Sequence, residues 1–449
     1  MKVRLYDGIR RRSSASMNRT TLAFAAALIA LGASIVLGQR GDPVTPNHPA
    51  IEYATRETSD PIAALNRRLA AGEVQLTFDP ATGYLRSVLD ALKVPVESQM
   101  LVFSETSLQS EFITEKTPRS IFFSDNVAVG WVRAAETLEV TAVDPQQGSV
   151  FYQIEQKPGE PQRFTRASRC LECHLSPSNT SNVPGLFVMS MLPMTDDPNE
   201  YAVGWMVDHR TPIVDRWGGW YVTGKSAPRT HLGNVPVYHV KESQVRRAVA
   251  PKLESVREAF DATSYLTPYS DVVALLVLNH QGQMTNLMTR LHWVTRIAQH
   301  DRKVGSLIAA PATAGGTSDP VDSMASELVD YLLFADEAPL SGKVEGSSGF
   351  AEKFSALAPS DQKGRSLRHL DLERRLLKYP CSYMIYSDAF DALPASAKGA
   401  VYDRMWKILS GQHTDSMYAR LTLPDRQAIV EILRETKKDL PAYFQPVTK

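Results

Sequence analysis

The sequence predicts an α+β chain, with a β-rich N-terminal half followed by a mainly α-helical C-terminal half. Three observations predict it. Between about residues 71 and 240, short runs of β-branched and aromatic residues alternate with turn-forming residues. After about residue 240 apolar residues recur at helical spacing, among them Val273, Val277, Met284, Leu287, Leu291 and Val294. The chain has 449 residues, 43% of them hydrophobic, enough for a substantial core and for two or three domains.

Taken in order, residues 1–40 read as an export signal or an N-terminal membrane anchor. Arg10, Arg11, Arg12 and Arg19 form a basic start, and 21–38 is an almost continuous apolar run. That run lies at the lower edge of membrane-spanning length, about 17–25 residues. Met17 opens a shorter signal of the same kind, and no cysteine stands near the apolar run to take a lipid. Residues 41–70 are rich in proline and polar residues and read as a linker. Residues 71–240 form the β-rich domain. Strands are expected at 74–78, 120–123 and 149–155, with turns at Asp125-Asn126 and at 144–148. The tetrapeptide Ala-Val-Gly-Trp stands twice, at 128–131 and 202–205. Residues 241–449 form the helical domain. Helices are expected at 271–298, 321–334, 370–378, 398–409 and 426–435, with a long loop at 339–363.

Lysine plus arginine total 49, and so do aspartate plus glutamate. A balanced chain lacks the basic excess that binding to nucleic acid requires, so no nucleic-acid partner is expected. The cysteines are Cys170, Cys173 and Cys381, too few for a disulfide scaffold. Two of them stand in Cys170-Leu171-Glu172-Cys173-His174. In such a segment two thiols three residues apart face one side of a turn or short helix. They can add across the vinyl groups of one haem, and the histidine that follows supplies iron with an imidazole nitrogen. The segment therefore predicts one covalent haem c, with Cys170 and Cys173 as attachment points and His174 as the proximal ligand. The export signal agrees, because the attachment occurs after translocation. A zinc site needs a second ligand pair, which the chain does not offer. A redox dithiol needs a βαβ setting, and a disulfide would leave His174 without a task.

Arg163, Arg166 and Arg169 precede the segment. Arg166 and Arg169 are candidates to neutralise haem propionates; a solvated basic face is the alternative. On the far side of the iron the candidates are His231, between turn residues, and His280, on the apolar face of the 271–298 helix. Met189, Met191 and Met194 follow the motif closely, although methionines in such runs usually pack the core. Cys381 reads as a buried small hydrophobe.

Several further stretches carry a resemblance. They are 117–125 with 129–131, the Cys170–His174 motif with 183–185, 215–224, 270–275 with 279–281, and 372–375 with 379–383. As a set, over roughly residue 100 to the C-terminus, the chain resembles a family of large, mostly uncharacterised bacterial haem c proteins. The resemblance implies His174 as proximal ligand. The family often has Met where this chain has Leu232, and that departure favours His231 or His280 over a methionine. In 215–224, Gly218 and Gly219 permit unusual backbone angles, and Trp217, Trp220 and Tyr221 either pack the core or line the haem pocket.

Together these readings predict an exported mono-haem cytochrome. It would face the periplasm, free or membrane-anchored, and exchange electrons with a redox partner protein. A haem oxidoreductase acting on peroxide or a small oxide at an open distal site is the alternative, and a haem-based sensor ranks last.

Overall fold

The computed structural model describes residues 44–104, 106–159, 162–192, 203–234, 250–308, 319–357 and 359–448. The signal or anchor expected at 1–40 and the candidate Met194 lie outside these residues. Among the described residues no helix is long and apolar enough to cross a membrane.

Residues 44–60 are not a free linker. The Tyr53 hydroxyl donates to the Ser149 carbonyl at 2.7 Å, and Gln147 donates to Ile51. Asp60 caps helix α1 (Pro61–Ala70) by accepting from Ile62 and Ala63, while its other oxygen accepts from the Tyr152 hydroxyl at 2.7 Å. Helix α2 (Leu85–Leu92) follows.

Next comes a six-stranded antiparallel meander in chain order: β1 (Met100–Val102), β2 (Arg119–Phe123), β3 (Val127–Trp131), β4 (Thr137–Asp144), β5 (Gly148–Glu155) and β6 (Thr165–Arg166). Alternation along the strands sorts its two faces. Leu138, Val140 and Ala142 of β4 stand opposite Ile154, Tyr152 and Val150 of β5, and all six are buried. Helices α1 and α2 pack on the sheet at β4 and β3. The opposite face carries Arg119, Gly130, Glu139, Thr141 and Phe151. The turns expected at 125–126 and 144–148 connect β2 to β3 and β4 to β5. The strand expected at 74–78 is irregular chain instead: the side chain of Gln162 takes the place of a partner strand, accepting from Leu76 N–H and donating to Leu76 C=O.

Short helices α3 (Leu171–His174) and α4 (Pro177–Thr180) leave the meander and lead to a two-stranded antiparallel sheet, β7 (Val188–Leu192) with β8 (Val203–Val207). The glycines of the repeated tetrapeptide make room in both sheets. Arg119 crosses over Gly130, and Met191 and Met189 lie over Gly204.

The C-terminal half holds α5 (Val272–Ile308), α6 (Pro320–Leu332), α7 (Phe350–Ala356), α8 (Asp388–Asp391), α9 (Ala395–Leu409) and α10 (Leu423–Thr436). The start of α5 is apolar and buried on every side, from Val272 through Leu278. A helix apolar all round belongs in the middle of a core, and α5 packs on β5, β7, α6 and α9. Residues 370–378 are a tight antiparallel bend rather than a helix. Leu372 has φ 59°, Leu370 bridges Leu377, and Asp371 accepts from Glu373 and Arg374. The loop expected at 339–363 contains α7.

The fold class is α+β. Residues 44–449 cluster as one compact unit. The 71–240 and 241–449 segments share a core because α5 fills both.

Candidate haem-attachment site

The motif lies beyond the polar face of the meander. Residues Ser168–Cys170 form one 3₁₀ turn, and α3 continues it through His174. The Cys170 thiol is half-buried, Cys173 is exposed, and both are free of disulfides. Burial and the nearby Glu139 carboxylate push the Cys170 pKa up to about 11, against the opposing effect of Arg119. It is therefore a thiol at neutral pH.

Arg119 and Glu139 pair at 2.5 Å beneath the motif. They sit on β2 and β4, with β3 between them. Gly130 stands opposite both Ile121 and Glu139. A Cβ there would lie 2.3 Å from an Arg119 guanidinium nitrogen, so its absence lets the arginine cross.

His174 is held by one residue through two hydrogen bonds. Its Nδ1 lies 2.8 Å from the Gly185 carbonyl oxygen, and its own carbonyl accepts from Gly185 N–H at 3.0 Å. A carbonyl can only accept, so Nδ1 carries the proton. The lone pair is then on Nε2, the tautomer of a histidine that ligates a metal through Nε2. Phe151 of β5 and Phe187 flank the ring at 4.9 and 4.7 Å between centroids. Burial lowers the imidazole pKa, which keeps the ring neutral.

Gly185 is itself positioned by the long helix. Asn286 of α5 accepts from Leu186 N–H at 3.1 Å and donates to Leu186 C=O at 2.8 Å. A Cβ on Gly185 would lie 2.1 Å from the Asn286 oxygen. The helical half thus supports the residue that sets the His174 tautomer. Two unlinked thiols one turn apart and an imidazole with its Nε2 lone pair available form a donor set that fits a covalent haem.

Arg166 donates to the carbonyls of Tyr53, Ala54 and Arg56 and lies over the Tyr53 ring. Its guanidinium is committed to the lead-in segment. Arg169 is exposed, 3.9 Å from Glu172, and is free to turn toward a group attached at the motif. His231 is buried, and its Nδ1 accepts from Gly233 N–H at 3.0 Å. Its proton is therefore on Nε2, leaving that nitrogen no lone pair for iron. His280 is fully buried and uses both nitrogens within the protein, Nδ1 with His209 Nδ1 at 2.8 Å and Nε2 with Ser382 Oγ at 2.7 Å. In this arrangement neither offers iron an open nitrogen. Met189 and Met191 share one face of β7 over Gly204. Cys381 is buried, and burial raises its pKa far above the usual thiol range. Trp217 and Trp220 pack the core and donate to Asn279 Oδ1 and the Met189 carbonyl.

A cavity of about 250 Å³ lies behind Phe187, with Met206, Asp208, Leu278, Asn279 and Gln283 in its wall. The Asn279 Nδ2 is buried there without a hydrogen-bond partner among the described residues.

Nothing in the spacing singles out Arg119, Glu139, Asn286 or His209, which meet their partners only in the fold. One signal was available: polar residues interrupting the apolar face of a buried helix, as Asn279, His280 and Asn286 do in α5. Comparison with family models, with curated proteins and with solved structures finds no match to this chain.

Proposed function

We propose that this protein is an exported mono-haem c-type cytochrome that passes electrons to or from a periplasmic or membrane redox partner. The observation that carries the reading is the His174–Gly185 pair next to two free thiols. A histidine with Nδ1–H on a carbonyl and Nε2 open is the arrangement that metal-binding histidines adopt. Cys170 and Cys173 would hold the haem, and His174 would ligate its iron. When bound, the haem supplies a one-electron couple whose potential the axial ligands and surrounding burial set.

The chain's own residues have separate tasks in this reading. Gly185 holds the imidazole proton on Nδ1, and Asn286 holds Gly185. Phe151 and Phe187 exclude water from the ring and fix its plane. Arg169 remains available to a propionate. Cys173 is exposed, so a group held there would be within reach of a protein redox partner.

The test is direct. Full-length protein exported from a host with haem c maturation machinery should keep one haem per chain after denaturation, by mass and by pyridine haemochrome. Cys173→Ala should leave a single thioether and shift that spectrum; an unshifted band would remove Cys173 from the site. A chain that exports and folds with no covalent haem would end the reading.

A second reading, a haem oxidoreductase with an open distal site, is favoured by the cavity behind Phe187 and by the unpartnered Asn279 amide. The two separate on carbon monoxide. A reduced spectrum that CO leaves unchanged supports the electron carrier, with Met189 or Met191 the first ligands to mutate. Ready CO binding and a high-spin ferric form support the oxidoreductase.

A further inference from the structure

The lead-in segment and the far end of the long helix bring three donor groups to one point. His48 lies in the segment that precedes α1, and His300 and Asp301 lie in the C-terminal part of α5. His48 Nε2 and His300 Nδ1 each lie 3.2 Å from the same Asp301 carboxylate oxygen. The two imidazoles meet edge to face, 5.2 Å between centroids. One donor atom from each residue falls within 4.8 Å of the others. We infer that His48, His300 and Asp301 form a binding site for a divalent first-row transition metal of the zinc type.

The geometry and the donor chemistry agree. Ligands at about 2.0–2.1 Å from a tetrahedral zinc ion stand about 3.3 Å apart. Two edges of that tetrahedron are already in place at 3.2 Å. Two imidazoles and one carboxylate suit zinc, cobalt, nickel or copper, whereas calcium and magnesium require mostly oxygen ligands. With three protein ligands a fourth position is left for water.

Binding needs the proton of each ring on the nitrogen away from Asp301, with the nitrogen that faces Asp301 left to the metal. For His48 this has a cost, because its Nδ1 now accepts from Ala50 N–H at 3.1 Å. The site is therefore weaker than a closed structural zinc centre. Occupied, it would clip residues 44–56 to α5, next to the bonds from Arg296 to the Ala50 and Gln146 carbonyls. It is separate from the Cys170–His174 motif and stands or falls without it.

The experiment is a calorimetric titration of zinc into the full-length protein. It is repeated on its Cys170→Ser/Cys173→Ser variant, which removes the thiols as competing ligands. One zinc per chain is expected in both, with magnesium giving no saturable heat. His300→Ala and Asp301→Asn should each weaken zinc at least tenfold. His413→Ala, at an exposed histidine elsewhere, should leave it unchanged. Zinc should also raise the melting temperature of the parent but not of the two site variants, whose far-UV circular dichroism checks that they fold. An absent saturable isotherm, or one that His300→Ala and Asp301→Asn leave unaltered, overturns the site and leaves a carboxylate hydrogen-bonded between two imidazoles.

Discussion

The proton of one imidazole is the smallest feature on which the proposed function turns. His174 owes its tautomer to Gly185, and Gly185 owes its place to Asn286, on an element 100 residues away in sequence. Asn286→Ala should therefore do more than loosen the fold. It leaves the Leu186 N–H and C=O without their partner, at a cost of about 2–4 kcal/mol. If the proposed haem is attached, its thioethers should survive in Asn286→Ala while the absorption spectrum of the folded variant becomes that of mixed ligation. Urea unfolding reads the first effect and the spectrum reads the second; an unchanged spectrum would mean that Gly185 is held without Asn286. A second residue-scale expectation concerns pH. Burial depresses the pKa of His231 to about 4, below the ordinary value of 6.5. Below pH 6.5 the unfolded chain binds this proton and the folded chain does not, so stability present above 6.5 falls as pH drops toward 4. One such site accounts for roughly 3 kcal/mol over the full window. His280 and His292, lowered by burial to about 3 and about 4, add in the same direction. His231→Gln should thus flatten the slope of unfolding free energy between pH 6.5 and 5, measured by urea midpoints. An equal slope would mean that the ring takes up its proton in the folded state.

At the scale of elements, the helices with a clear apolar period were legible. The expected 271–298, 321–334, 398–409 and 426–435 correspond to α5, α6, α9 and α10. The sheet was legible at β2 and β5 and at the turns that join β2 to β3 and β4 to β5, while β3 and β4 were not singled out. Two elements were misread for physical reasons. At 370–378 Leu372 takes a positive φ that no periodicity reveals, and at 74–78 a glutamine side chain substitutes for a strand. The sequence singled out Cys170, Cys173 and His174 because the proposed haem attachment sets their spacing. The tertiary support of the site was not legible, since hydrogen bonds between distant elements leave no period. The cap of α5 shows what such support is worth. Asp271 is fully buried; one oxygen accepts from Val273 and Ala274, and the other from Ser347 N–H, Ser348 N–H and the Ser348 hydroxyl. Asp271→Ala removes the cap and strands buried donors, costing about 3 kcal/mol or more. The check is the urea midpoint of the variant at pH 7. A loss below about 1 kcal/mol, the size of a surface cap alone, would show that water replaces the carboxylate.

For the molecule as a whole, the question is whether the haem-motif half can stand without the helical half. The change of pattern near residue 240 invites a domain boundary there, but the bonds run across it. Gln99 donates to the carbonyls of Thr267 and Tyr269, Leu101 N–H to the Ser270 hydroxyl, Gln281 to the Ser124 carbonyl, and Asn286 to Leu186. Val272 through Leu278 are buried against elements of both halves. Removing α5 would expose the polar face of the meander, the backs of β5 and β7, and the segment that holds His174. Each fully buried aliphatic side chain stripped of cover forfeits about 1.5–3 kcal/mol, so a few of them exhaust the ordinary net stability of a domain, about 5–15 kcal/mol. A chain of residues 44–240 should therefore be insoluble or unfolded, and residues 44–449 should unfold in one cooperative step. Far-UV circular dichroism and tryptophan fluorescence should follow the same denaturant curve. Two separated transitions, or a soluble 44–240 fragment with native-like dispersion of its amide resonances, would mean that the sheet folds alone and that α5 docks on it afterwards.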